Sequence, residues 1–366
     1  MSNQTFETLK ELPTSLFQSQ CVLHKHELLI CGGCQQRACY SYHTIKNEYK
    51  LICEYPSDVD LFGHCVVKLI DNNKDSNEII LLSFGGWSKH TLHTLVMKYV
   101  SVWSNISNKL NKSNELNNYN QWIPFTDNHN HPIVIGRDND NYIGVRALIG
   151  GSNSHLLFIT YQPNNICVFD LNTFQFIKHD KLPTNFIQFH CFVSNSENGQ
   201  AQEMMKTNKQ KKKQNYQMLL FCFDAGLSIE YDEDNKTFQF YQLHVCDNME
   251  RFYAYAHVCV NDIILFFSGW NGADAVSKSV HEYSIREKKW KTFQYSLPNP
   301  LFDCTAILNE EDNRIHIIGG KDDKGITLST HMRTRVREWD PSLFVMIYLF
   351  LFILIYFNEI QINCIA

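Results

Sequence analysis

Six short apolar runs punctuate the chain, and each stops at a pair of small residues or at the equivalent of one. The runs are LLIC, IILLSF, HLLFI, MLLFCFDA, IILFFS and IHII. The second position of the pair, or its counterpart, falls at Gly33, Gly86, Tyr161, Gly226, Gly269 and Gly320, at intervals of 53, 75, 65, 43 and 51 residues. A polar loop follows each run, then an alternating stretch such as VHEYSI or ICVFDL, then a further one such as WKTFQY or FQFIKH. Period-2 alternation and β-branched or aromatic residues, bounded by Gly, Pro, Asn and Asp, predict strands. Each unit therefore reads as four strands. No amphipathic helix of useful length is predicted before residue 340.

An aromatic pair seven residues apart keeps the same period: Tyr42 and Tyr49, Phe169 and Phe176, Tyr231 and Phe238, Tyr283 and Trp290. In the sixth unit Met332 precedes Trp339 by seven. In the second, the partner of Tyr99 is displaced to Trp122 by the polar insert SNISNKLNKSNELNNYNQ. The small pairs are Gly32–Gly33, Gly85–Gly86, Ser268–Gly269 and Gly319–Gly320. Two glycines at a strand end permit positive φ and close backbone approach. The aromatics are expected to fill the wedge between adjacent units.

A four-stranded unit near 50 residues with Gly-Gly and spaced Tyr and Trp resembles the Kelch repeat. The resemblance covers residues 6–340; it is specific in units one, five and six, and degenerate in three and four, where TY and AG replace Gly-Gly. It implies an all-β fold, a six-bladed β-propeller of four-stranded blades. The repeats span 20–56, 64–125, 145–183, 189–244, 256–298 and 303–340. The N-terminal FETLKELPTSLFQSQCVL is similar to WKTFQYSLPNPLFDCTAIL at 290–308, so residues 6–12 read as an outermost strand. The sixth unit ends at RTRVREWD without a fourth strand, and the N-terminal strand is expected to complete it and close the ring.

Composition adds limits. With 366 residues, 44% hydrophobic and 13% aromatic, the chain can bury a large core. A net charge of −5 gives no reason to expect nucleic-acid binding. Thirteen cysteines, and an N-terminus without basic or apolar signal regions, fit free thiols in a reducing, cytoplasmic setting. The sequons at Asn3, Asn105, Asn111 and Asn235 are accordingly expected to carry no glycan. Cysteines recur early in the first strand of a unit at Cys21, Cys65, Cys191 and Cys304, and shifted at Cys259. They are expected to face a narrow central channel as small packing residues. Cys31, Cys34 and Cys39 lack a second ligand pair at metal-site spacing.

Two segments depart from the repeat. Residues 194–217 read as a disordered polar insert with a basic run at Lys209 and Lys211–Lys213. Residues 343–357 are 15 uninterrupted apolar residues. Within 343–362 they predict a short hydrophobic C-terminal helix, a candidate membrane anchor. Arg333, Arg335 and Arg337 flank it and favour a cytosolic propeller. A tail packed on the propeller, or appended sequence foreign to the native protein, are the alternatives.

No catalytic motif stands in a supporting context, and no cofactor or metal is expected. His129 and His131 in TDNHNHP read as surface histidines without a third ligand. The Kelch resemblance implies a partner face built from the loop after Gly-Gly and the loop leading into each first strand. On this chain those loops supply Gln35, Gln36 and Arg37; Trp87, Ser88, Lys89 and His90; Trp270 and Asn271; and Lys321, Asp322 and Asp323. Arg37, Trp87 and Trp270 lead, because Arg and Trp dominate binding hot spots. The expected function is a monomeric interaction scaffold for a protein or peptide, with membrane tethering as an addition. The alternative is a ubiquitin-ligase adaptor recruited in trans, since no BTB or F-box segment precedes the repeats. A galactose-oxidase-like copper enzyme is the rival of another class, although no residues map onto its copper site.

Overall fold

The computed structural model describes residues 5–69, 78–88, 91–104, 119–195 and 215–340. β1 (Phe6–Thr8) comes first. The first sheet follows as β2 (Gln20–His24), β3 (Glu27–Gly33), β4 (Gln36–His43) and β5 (Glu48–Glu54). The second holds β6 (Cys65–Leu69), β7 (Glu78–Gly85), β8 (His93–Val100) and β9 (Ile123–Pro124). The third holds β10 (Asn141–Gly150), β11 (Leu156–Gln162), β12 (Asn165–Asp170) and β13 (Gln175–Lys181). The fourth holds β14 (Cys191–Ser194), β15 (Asn215–Cys222), β16 (Ala225–Asp232) and β17 (Thr237–Gln242). The fifth holds β18 (Ala256–Val260), β19 (Ile263–Phe267), β20 (Ser279–Ser284) and β21 (Lys289–Ser296). The last contains β22 (Thr305–Asn309), β23 (Arg314–Ile318) and β24 (His331–Arg335). β1 lies beside β24 as its fourth strand. All six sheets are antiparallel and four-stranded, five of them meanders of consecutive strands, and they are the blades of a six-bladed β-propeller.

The seven-residue aromatic interval has a local cause. The hairpin between third and fourth strands carries a left-handed residue five positions after the first aromatic: Asn47, Phe174, Lys236 or Lys288. That turn sets the register, so Tyr42 faces Tyr49, Phe169 faces Phe176, Tyr231 faces Phe238 and Tyr283 faces Trp290 across the strands. Three of these pairs pack backward onto the preceding blade. Tyr283 and Trp290 meet Phe221, with ring centroids 4.7 and 5.2 Å away. Tyr231 meets Phe158, and Tyr42 meets His331. The second blade differs from expectation: Trp122 stacks on Tyr55 of blade one at 4.7 Å, and Tyr99 meets His24.

Among the described residues the buried apolar side chains fall into six clusters, each drawn from two neighbouring blades, including the sixth and first. This is why the second strands are buried on both faces; every residue of ELLICGG in β3 is buried. The repeated cysteines take part in these wedges. Cys65 packs between blades two and three, Cys191 between four and five, and Cys304 between five and six. They do not face the channel as expected, because successive first-strand residues alternate toward the two neighbouring sheets. The described cysteines are all free.

The N-terminal strand registers Phe6 against Thr334, Glu7 against Arg333 and Thr8 against Met332. Phe6 is buried against Phe267 and Trp339, while Glu7 accepts hydrogen bonds from Arg333 and Arg314. Of the expected 194–217 insert, β14 claims Ser194 and β15 claims residues from Asn215, since both pair in register; 196–214 lie outside the described residues. Residues 343–362, and with them the expected helix, also lie outside. Among the described residues no helix is long and apolar enough to cross a membrane.

Candidate functional site

Each first strand has one residue in the left-handed region at its entry, two positions before the strand in five blades and within the irregular start of β10 in the third. These are Gln18 (φ 55°), Gly63 (60°), Gly144 (69°), Phe189 (47°), Ala254 (53°) and Asp303 (55°). The first strands are innermost: β2 lies against β6 and β22, and β10 against β6 and β14. The six lead-in residues therefore form a collar at one mouth of the shaft. Backbone N–H groups reach back to the preceding blade's collar carbonyl at Gly144→Gly63 (3.0 Å), Phe189→Gly144 (3.2 Å), Asp303→Ala254 (2.8 Å) and Gln18→Asp303 (2.8 Å). Side-by-side backbones explain the two glycines. A Cβ on Gly144 would stand 2.6 Å from the Phe189 nitrogen.

The glycine pairs dock on the same mouth. Gly320 N–H donates to Leu16 O at 2.8 Å, Tyr142 N–H to Gly86 O at 2.8 Å, and Gly269 N–H to Leu301 O at 3.2 Å. Gly32, Gly86, Gly269, Gly319 and Gly320 take positive φ, as does Ser268, whereas Gly33 and Gly85 do not. In blade four the expected position shifts. Gly226 lies inside β16, because β15 and β16 are joined by the tight turn Phe223–Asp224 with Phe223 at φ 52°.

On this face the lead-in loops place aromatic residues beside the post-glycine loops. Leu16, Leu61 and Leu301 are buried; of the next residues, Phe17 and Phe62 are half-buried and Phe302 is buried. Trp87 is 41% exposed and meets Phe62 edge-on at 6.3 Å. Trp270 is half-buried in a continuous stack: Phe223 to Tyr253 at 4.5 Å, Tyr253 to Trp270 at 5.6 Å, Trp270 to Phe302 at 5.2 Å. Lys321 places its ammonium 3.8 Å from the Phe17 ring centroid. The belt thus runs across blades four, five, six and one, with a second patch at blade two.

Several expected site residues have other employment. The turn after Gly33 is only Cys34–Gln35, so Gln36 and Arg37 belong to β4. The Arg37 guanidinium donates to Tyr55 O at 3.3 Å and pairs with Glu54 at 3.4 Å. Asn271 shapes its own loop, its Oδ1 accepting from Ala273 and Ala275 N–H. Asp322 does the same for Lys324 and Ile326. Asp127 likewise accepts from His129 and His131 N–H, so TDNHNHP is a third loop of this kind. Lys89 and His90 lie outside the described residues. Among the described residues no group of three His, Cys, Asp or Glu is placed to hold a metal ion.

Sequence reasoning missed the lead-in aromatics. Their signal was present, an apolar–aromatic doublet before the first strand: Leu16-Phe17, Leu61-Phe62, Phe252-Tyr253 and Leu301-Phe302. Two hollows open on the described surface, the first of them reaching the belt at Phe223 and the second belonging to blade three. One of about 450 Å³ is lined by Asn185, Phe186, Phe223, Asp224, Glu250 and Arg251. The other, about 830 Å³, holds Arg137, Asp138, Asp140, Gln162, Asn165 and Lys181. Its charges are largely used internally. Arg137 forms a fork on Asp140 (3.0 and 3.2 Å) and donates to Tyr161 Oη at 2.8 Å; the Asp140 contact raises the arginine's pKa.

The chain matches no protein-family model and no curated protein sequence. It is similar to a solved structure reported as "Structure of YjhT", with 12% sequence identity and a TM-score of 0.57, over 88% of this chain and 95% of that one. At that identity the likeness concerns the fold alone, a six-bladed β-propeller.

Proposed function

We propose that the chain is a Kelch-type propeller acting as a protein-interaction scaffold, with its collar face docking a protein or peptide. The carrying observation is the aromatic belt: Phe17, Phe62, Trp87, Tyr253, Trp270 and Phe302 all gather at one mouth of the shaft. Such rigid aromatics offer large contact area at little entropic cost. The Kelch assignment rests on the glycine pairs and on the i, i+7 aromatics in register. The same reading places the propeller in the cytosol as a monomer, with residues 343–357 as a membrane tether.

The test is comparative capture from cell extract by the full chain. Wild type is set against Phe62→Ala/Trp87→Ala, with Leu51→Ala/Tyr295→Ala on the outer strands as control. The proposal expects a defined set of proteins kept by the control and lost by the face variant; equal capture by all three sinks it. Recovery of ligase subunits in that set would favour the adaptor alternative. Alkaline-resistant membrane partition that disappears on removing residues 341–366 tests the tether.

A further inference from the structure

Three cysteines of blade one lie in a row across its sheet. Cys31 on β3 is directly opposite Cys39 on β4, and Cys39 is directly opposite Cys53 on β5. Directly opposed residues share a face, and all three pack into the wedge between blades one and two. Among the described residues no other cysteine faces another across a ladder. The Cα atoms of opposed residues in an antiparallel pair stand about 4.5 or about 5.5 Å apart, and a disulfide spans Cα separations of about 4.4–6.8 Å. The register therefore suits a bond from Cys39 to either neighbour.

Blade two completes the surroundings. Trp122 donates its indole N–H to Cys39 Sγ at 3.3 Å, and Met97 Sδ lies 3.7 Å from Cys53 Sγ. Burial opposes ionisation of Cys39, but hydrogen bonds from the Cys31 and Cys53 thiols, from Trp122 and from the Gly32 backbone outweigh it and lower its pKa. The hydrogen bond to Cys39, with burial, raises the pKa of Cys53 and keeps it a thiol. Cys31 and Cys39 are fully buried, whereas Cys53 is half-buried on the outermost strand. Cys53 is thus the sulfur at which solvent meets the row. The three sulfurs are not placed to converge on a metal ion, so the row favours chemistry between neighbours.

We propose that Cys39 and Cys53 are a hydroperoxide-reactive dithiol that closes into a cross-strand disulfide, a modification site that needs no docked partner and lies apart from the belt. The Cys53 sulfur attacks the outer oxygen of the hydroperoxide, the O–O bond breaks, and the Cys53 proton passes to the Cys39 thiolate. The departing alkoxide, or hydroxide where the oxidant is hydrogen peroxide, takes a proton from water. The Cys39 sulfur then attacks the sulfur of the Cys53 sulfenic acid. The S–O bond breaks, the S–S bond forms, and the hydroxyl leaves with the Cys39 proton as water. The two sulfurs together lose two electrons, and the peroxide gains them.

The test treats the reduced, folded full chain with hydrogen peroxide, alkylates the remaining thiols and maps the peptides by mass spectrometry without reduction. The proposal expects one dominant cross-link, Cys39 to Cys53, reversed by dithiothreitol. It should be complete before Cys246 is oxidised, a thiol also half-buried but with no cysteine opposite it. Cys39→Ser should lose the cross-link and leave a Cys53 sulfenic acid open to dimedone, whereas Cys31→Ser should keep the cross-link. No bond to Cys53 by the time Cys246 is consumed overturns the proposal, as does a Cys31–Cys39 bond in its place. Both of these readings come from the wild type, so they hold even if a variant fails to fold.

Discussion

A Cβ placed on Gly63 would stand 2.5 Å from the backbone nitrogen of Gly144, the residue that occupies the same position in the next blade. The two also share a hydrogen bond, Gly144 N–H to Gly63 O at 3.0 Å, and both have positive φ. Blade spacing at this point is set by backbone against backbone. Gly63→Ala is therefore expected to destabilise by about 2–4 kcal/mol in urea unfolding, since strain and a clash coincide. Gly325→Ala is the matched control: φ is 76° but nothing lies within 4 Å of a Cβ, so the loss should stay near 1 kcal/mol. Equal losses would mean that the collar contact does not constrain the ring.

Two neighbours on β1 should behave very differently. Phe6 is 3% exposed, packed on Phe267 and Trp339, and Phe6→Ala should cost about 3–4 kcal/mol. Glu7 holds Arg333 and Arg314 by charge-assisted bonds, and the arginines lower its pKa, yet its side chain is 54% exposed. Solvent screening limits Glu7→Ala to about 0–1 kcal/mol. The comparison is made by urea midpoints at fixed pH. A larger loss at Glu7 would show that charge, not burial, anchors the strand.

Acid should weaken the fold. Burial lowers the pKa of His64, His257 and His316 to about 3 and of His93 and His281 to about 4, with His190 and His331 also driven down. Below about pH 6.5 the unfolded chain takes up protons on these imidazoles that the folded chain refuses, so stability falls with pH from there down toward 4. Asp303 opposes this. Burial raises it to about 6, so between about 6 and 4 the folded state holds a proton the unfolded state lacks. Three carboxyls raised by burial, Asp303 with Glu282 and Asp312, stand against these seven imidazoles and against His43 and His179, which burial also lowers. Urea midpoints at pH 7.5, 6 and 5 should decline, and a flat or rising series would contradict the assignment.

Trp87 and Trp270 separate binding from folding. Trp270→Ala removes a ring stacked between Tyr253 and Phe302 and should cost about 1–2 kcal/mol of stability. Trp87→Ala removes a ring with one aromatic neighbour and should stay within about 0.5 kcal/mol. Thermal melts of the two single variants check this directly; the reverse order would exchange their roles.

The blade architecture was legible because it is written in residue type. Apolar runs mark the doubly buried second strands, and the i, i+7 aromatics mark hairpins of fixed length. The second blade escaped the pattern where its insert breaks the hairpin, leaving Trp122 to pack on Tyr55 rather than beside Tyr99. The collar was not legible. Only Gly63 and Gly144 advertise their left-handed backbone, while Gln18, Phe189, Ala254 and Asp303 adopt it under tertiary compulsion. The face was half legible. Trp87 and Trp270 announce themselves, but loop residues such as Asn271 and Asp322 look like binding groups until their side chains are seen to turn back on their own backbone.

Glu7 and Arg333 touch across 326 positions of chain. At typical synthesis rates that separation corresponds to ~16–65 s between the appearance of β1 and of the strand it pairs with. For that time β1 lacks the strand it pairs with, whereas each of the other five sheets pairs strands consecutive in the chain. The sixth blade, which joins strands from the two ends of the described chain, is therefore expected to complete last. Pulse-labelled hydrogen exchange during refolding should find the amides of β1 and its β24 partners protected last; simultaneous protection of all six sheets would show instead that the ring condenses as one body.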